Sequence, residues 1–167
     1  MGTACKNHLE KHGELFTELM KSPDGVFRGV HLGDSQDAVQ QAETLTPVET
    51  SPDALTYETN LGNSGDCKII YGFENGKLFE IQVESNFENP NEGLQMLQGF
   101  RDYFNEQYGP YEKERGNLVW KMKSPGPDMG GILEMTDETE FGDFGMWSLS
   151  IYRPGTISPG NDSLSIQ

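Results

Sequence analysis

The stretch Lys68–Glu84, KIIYGFENGKLFEIQVE, decides the fold. Asn75-Gly76 supplies two adjacent residues that tolerate positive φ, as a two-residue type I′ turn requires. On the leading arm Cys67, Ile69, Tyr71 and Phe73 alternate with Lys68, Ile70, Gly72 and Glu74. On the trailing arm Phe79, Ile81 and Val83 alternate with Glu80, Gln82 and Glu84. Side chains two apart on a strand share a face, so each arm has one apolar and one largely polar face. The pattern predicts a β-hairpin with Ile69, Tyr71, Phe73, Phe79, Ile81 and Val83 buried, and it leaves Ile70 on the opposite face as a candidate binding residue. Two strands alone are marginal in water, so further strands and a covering layer must come from elsewhere in the chain.

Upstream, Leu55, Tyr57, Thr59 and Leu61 alternate with polar residues, and Gly62–Asp66 turns the chain into the hairpin. Downstream, Asn89 as N-cap, Pro90 at the first helical position and Glu92 at the acid position of a capping box open a helix. Leu94, Leu97, Phe100, Phe104 and Tyr108 run along it at spacings of three or four, and Gly109-Pro110 stops it. Three more strands follow, around Leu118–Met122, Ile132–Met135 and Met146–Ile151. Toward the N-terminus the pattern predicts a helix from about Asn7 to Lys21, interrupted by Gly13, then an extended segment Val26–Leu32. A second short helix, capped by Asp34 or Ser35, runs to about Glu43. Helix, helix, three strands, helix, three strands gives a two-layer α+β fold: an antiparallel sheet of about six strands with helices on one face. The order suggests a degenerate αβββ duplication. Residues 1–153 read as one domain including the N-terminal helix, and 154–167, rich in Gly, Pro, Ser and Asn, as a disordered tail.

Twenty-seven acidic against twelve basic residues leave a formal charge of −15, spread over the 167-residue chain. That field repels phosphate backbones and anionic membrane surfaces and favours a basic protein or a cation. Two cysteines, Cys5 and Cys67, are too few for a disulfide framework, and no run approaches a transmembrane length. As written the chain reads as cytoplasmic. Thr3-Ala4-Cys5 also has the ending of a bacterial lipoprotein cleavage site, which would anchor it to the envelope through Cys5 if a leader has been removed.

Chemical constellations are few. Cys5, His8 and His12 lie at i, i+3 and i+7, one stripe of a helix, but no fourth metal ligand accompanies them and the acid of a zinc-protease helix is misplaced. His31 and Cys67 are the other His and Cys that folding could join, yet Cys67 falls on the apolar face of its strand. Asp137, Glu138, Glu140 and Asp143 lack the spacing of an EF-hand loop. No phosphate loop, no metal set and no cofactor motif emerges, and no catalytic set stands out.

Phe27-Arg28-Gly29-Val30 with Gly33-Asp34-Ser35, then Tyr71-Gly72-Phe73 with Gly76-Lys77-Leu78, then Tyr108-Gly109-Pro110 and Trp120 resemble a group of bacterial αβββ modules. The group includes the β-lactamase-inhibitor-protein fold and the small lipoproteins that assist outer-membrane protein assembly. The resemblance implies a non-catalytic protein-binding role, often through the exposed sheet face. Together these readings predict a non-enzymatic interaction module engaging a protein partner through the helix-free sheet face, Ile70 included, or through the Phe141–Phe144 loop. Two alternatives compete: a small-molecule or lipid-binding domain with an aromatic-lined cavity, and an acidic secretion-type chaperone.

Overall fold

A computed structural model describes residues 8–136 and 145–155. Its helices are α1 (Glu14–Met20), α2 (Gln36–Ala42) and α3 (Pro90–Tyr108). Its strands are β1 (Glu49–Thr50), β2 (Ala54–Leu61), β3 (Gly65–Glu74), β4 (Lys77–Phe87), β5 (Glu112–Glu114), β6 (Asn117–Lys121), β7 (Ile132–Thr136) and β8 (Met146–Tyr152). All eight form one antiparallel sheet in the order β1-β2-β3-β4-β8-β7-β6-β5. The class is therefore α+β, as the hydrophobic pattern predicts, with two strands more than expected. The extra pair, β1 and β5, are the sheet edges and read only Glu-Thr and Glu-Lys-Glu. With no apolar alternation they are invisible to pattern reading, and as short charged edges they discourage edge-to-edge aggregation.

Each of α2 and α3 precedes four strands, and the last strand of each set, β4 and β8, pair at the sheet centre with Val83 opposite Leu149. The strand order is thus symmetric about the β4–β8 seam, with four strands on each side in place of the expected three.

The Asn75-Gly76 turn forms as predicted, with φ of 53° and 76° and Glu74 opposite Lys77. Ile69, Tyr71, Phe73, Ile81 and Val83 are buried. Phe79 is not: it is half-buried, and Leu78 takes its place in the core. The cause is a bulge, since Phe73 pairs with Leu78 while Gly72 pairs with Glu80, leaving Phe79 as the extra residue. The backbone of Leu78 bonds instead to Gly33 and Asp34.

The helices lie over the face carrying Tyr71, Val83, Trp120 and Trp147. The aromatic stripe of α3 supplies the cover: Phe100 meets Trp147 at 5.3 Å between ring centres and Phe104 meets Trp120 at 5.2 Å. The Trp120 indole N–H donates to Asn105 of the same helix at 2.9 Å. α1 crosses α3 at Gly99, where a Cβ would stand 2.6 Å from the His12 carbonyl oxygen and 2.8 Å from the Phe16 Cβ. This close approach accounts for a glycine in mid-helix.

Three local expectations need correction. The N-terminal helix is shorter than the stretch from Asn7 to Lys21: residues 8–10 are helical, the chain breaks at Gly13 (φ 105°), and α1 starts at Glu14. Val26–Leu32 is not extended, because Arg28 and Gly29 take φ of 52° and 82° and the chain doubles back with Val30 donating to the Phe27 carbonyl at 3.0 Å. Glu92 does not close a capping box. Asn89 caps α3, whereas the Glu92 carboxylate reaches the β2–β3 turn and accepts from the Asn63 and Ser64 amides and the Ser64 hydroxyl. The Ser64 hydroxyl, then the Asn63 amide, hold this carboxyl below its usual range. Ser35 does cap α2, accepting from the Ala38 amide at 3.1 Å.

Candidate functional site: the open face of the sheet

Strand periodicity leaves the second face of the sheet to alternate residues, and the register aligns them into rows. One row runs Thr56, Ile70, Gln82, Ser150, Glu134, Val119. A second runs Ala54, Gly72, Glu80, Tyr152, Ile132, Lys121. A third carries Glu58, Lys68, Glu84 and Ser148. Carboxylates dominate the charged positions: Glu58, Asp66, Glu80, Glu84 and Glu134 stand against Lys68 and Lys121. Ile70 and Val119 are recessed among them, whereas Met146 is not. Ile70 is half-buried, Val119 is buried between Glu112 and Glu134, and Met146 at the start of β8 is half exposed. The face is therefore acidic and mixed, without the broad apolar patch that a dry interface needs.

The sheet is hollowed where β2, β3, β4 and β8 meet. The concavity measures about 850 Å³, and Glu58, Asp66, Lys68, Glu84, Asn86 and Met146 line it. Glu80, half-buried nearer the other end of the face, is pushed up by burial, against which a hydrogen bond from Gln82 works. Tyr152, opposite Glu80, donates to Glu134, and burial followed by this carboxylate pushes its phenol well up. Across these rows polar side chains bond to one another: Thr136 and Ser148 hydroxyls are 2.7 Å apart. What the arrangement offers is a pre-ordered, water-facing set of acceptors of net negative charge.

The other candidates fall elsewhere. His8 and His12 do come together, on the α3 side of the molecule, where the Glu106 carboxylate lies 3.8 Å from one and 3.6 Å from the other ring nitrogen. Lys11 holds the same carboxylate at 3.0 Å. The His12 ring packs on Tyr103 and Phe16, and burial keeps it below the usual histidine range although Glu106 pulls the other way. Among the described residues no group of three His, Cys, Asp or Glu side chains is arranged to hold a metal ion. Cys5, Phe141, Phe144 and the acidic run Asp137–Asp143 lie outside the described residues.

His31 and Cys67 are not joined. His31 pairs with Asp128 at 2.6 Å, whose other oxygen accepts the Leu32 amide at 2.7 Å. The Cys67 thiol is in the core, and burial first, despite the nearby Ser85 hydroxyl and Arg28 charge, pushes it up to about 11. A thiol so held is no nucleophile at neutral pH. Trp120 and Trp147, which an aromatic-lined cavity would use, pack on Phe104 and Phe100 of α3, and the second concavity, about 300 Å³ between the start of α1 and α3, is open and lined by Lys11, Glu14, Gln95, Gln98 and Asp102 among others.

Pattern reading missed one charged cluster altogether. Arg28 and Glu43 form a buried ion pair: Nε donates to Oε2 at 2.9 Å and Nη2 to Oε1, while Nη1 donates to the Leu19 carbonyl at 2.6 Å. The Tyr71 hydroxyl and the Thr44 and Leu45 amides donate to the same carboxylate. Burial opposes both charges. Hydrogen bonding and charge between the partners outweigh it, leaving the Glu43 carboxyl below and the Arg28 guanidinium above their usual values. No spacing rule links positions 28 and 43, and the pair is sealed from solvent, so it holds α1, α2 and β3 together instead of forming a reactive site.

No protein family, no curated protein and no solved structure matches the chain. No described helix is long and apolar enough to cross a membrane.

Proposed function

We propose that the protein is a non-enzymatic interaction module that engages a positively charged protein surface through the open face of its sheet. One observation carries the reading: the helix-free side is a hollowed, solvent-facing surface on which carboxylates from β2, β3, β4 and β7 outnumber lysines, with Ile70 and Val119 recessed between them. Such a surface favours encounter with a basic partner and penalises an acidic one. The resemblance to bacterial αβββ protein-binding modules points the same way. A ligand-binding role has less support, because the aromatic side chains that would line a cavity fill the core against α3.

Chemical-shift mapping with a lysine-rich peptide tests this. Shifts should gather at Glu58, Lys68, Glu84 and Ser148, fade as salt approaches about 1 M, where the screening length falls to about 3 Å, and vanish in an Asp66→Lys, Glu84→Lys variant that retains native circular dichroism. Shifts confined to the helical layer, or undiminished in the variant, would overturn the reading.

A further inference from the structure

We infer that the outer edge of β2, at Glu58 and Asn60, takes up an extended segment of a basic protein partner as an added strand. This rests on the open face being the interaction surface and specifies how a partner would engage it. β2 is eight residues long, yet its edge neighbour β1 pairs only with Leu55 and Thr56. The Val48 amide donates to the Thr56 carbonyl at 2.8 Å, so Thr56 directs its backbone outward. Backbone groups of an antiparallel strand alternate between its two neighbours, so Glu58 and Asn60 also direct their N–H and C=O groups to the outer side. Both residues are exposed, and among the described residues no backbone partner occupies that side, the Asn60 carbonyl accepting a 3.3 Å hydrogen bond from the neighbouring Thr59 hydroxyl. The opposite edge of the sheet differs: β5 consists of three exposed residues, all charged.

The edge also adjoins the 850 Å³ hollow, whose lining includes Glu58, Thr59 and Asn60. A strand added there would set its alternate side chains on the open face beside Glu58, whose cross-strand neighbour on β3 is Lys68, with Asp66 on β3 and Glu84 on β4 beyond. Opposite charges directly across a strand pair attract, so lysine or arginine at that position is selected. A second copy of this chain would instead bring another Glu58 and a charge of −15, which disfavours self-pairing. The occupant is thus an extended, basic segment of a different protein, bound by backbone hydrogen bonds and selected by charge.

Amide hydrogen exchange read by NMR, with a short peptide alternating lysine and valine as probe, tests the inference. At a peptide concentration about ten times Kd, exchange of the Glu58 and Asn60 amides should slow roughly tenfold. N-methylating alternate peptide nitrogens should abolish that protection, and Glu58→Lys should weaken binding by about fivefold. Peptide that shifts open-face signals without protecting these two amides overturns strand addition while leaving the open-face reading intact. Peptide that does not bind overturns both. Protection that appears without peptide and grows with protein concentration overturns the choice of partner, since the edge would then serve a second copy.

Discussion

Replacing Glu43 by Gln keeps the size of the side chain and removes its charge, leaving the Arg28 guanidinium buried with, among the described residues, only the Leu19 carbonyl and a long contact to Thr44 as other partners. The native carboxylate accepts from two guanidinium nitrogens, the Tyr71 hydroxyl and two backbone amides. An amide has one acceptor and places an NH₂ against Arg28 or Tyr71, donor facing donor. Breaking a buried pair from one side costs about 3–5 kcal/mol, against a total stability of about 5–15 kcal/mol for a domain. In a chain of this length that is a fall in Tm of about 6–20 °C. Urea denaturation of the wild type, Glu43→Gln, Arg28→Met and the double variant Arg28→Met, Glu43→Leu forms the assay. The double variant should be more stable than Glu43→Gln, because no unpaired charge remains. Acid supplies a second axis. The Glu43 carboxyl is held below its usual range, so the stabilisation it contributes is fully present above the unfolded carboxyl pKa of about 4.3. It is lost as pH falls through the lower folded value. The gap between wild type and Glu43→Gln should therefore be constant near neutrality and close on acidification. A Glu43→Gln penalty below about 1 kcal/mol, typical of an exposed pair, or a gap that widens in acid, would refute the reasoning.

Two further outcomes follow from the packing. Gly99→Ala should destabilise by roughly 1–3 kcal/mol in spite of alanine's better helix propensity, because the new methyl meets the His12 carbonyl and Phe16 where α1 crosses α3; thermal melting checks this, and a stabilised variant would show that the two helices can separate freely. The Cys67 thiol should stay unreactive toward a disulfide reagent at pH 8 in the folded protein and react once in denaturant, since it is buried with its titration pushed up to about 11.

How far the sequence could be read is best seen residue by residue. The Asn75-Gly76 turn, the Asn89 cap and the stripe from Leu97 to Phe104 all form where local chemistry places them. Phe79 went to the other face because a bulge inserts one residue opposite Gly72, and a single-residue slip reverses every side chain beyond it. Glu92 had the spacing of a capping box, but an acceptor-rich carboxylate bonds to whatever free amides lie nearest, and the fold brings Asn63 and Ser64 closer. The acids of the open face were legible as alternate positions on β3 and β4; that they face water on one sheet with Glu58 and Glu134 was not.

What the sequence determined by itself were the features governed by contacts between near neighbours: period-two and period-3.6 burial, turn residues, helix caps, the α+β class and the strong negative charge. What tertiary structure alone decided were the features made by residues far apart in the chain. These are the meeting of β4 and β8 at the centre, the two charged edge strands, the closure of Arg28 on Glu43, and the hollow between β2 and β8. Local sequence sets which face of an element is apolar, but which elements become neighbours depends on burying all those faces at once. The hairpin from Lys68 to Glu84 thus announced a sheet, and only its pairing on both sides made that sheet's second face an acidic surface, bordered by a β2 edge that β1 pairs only at Leu55 and Thr56.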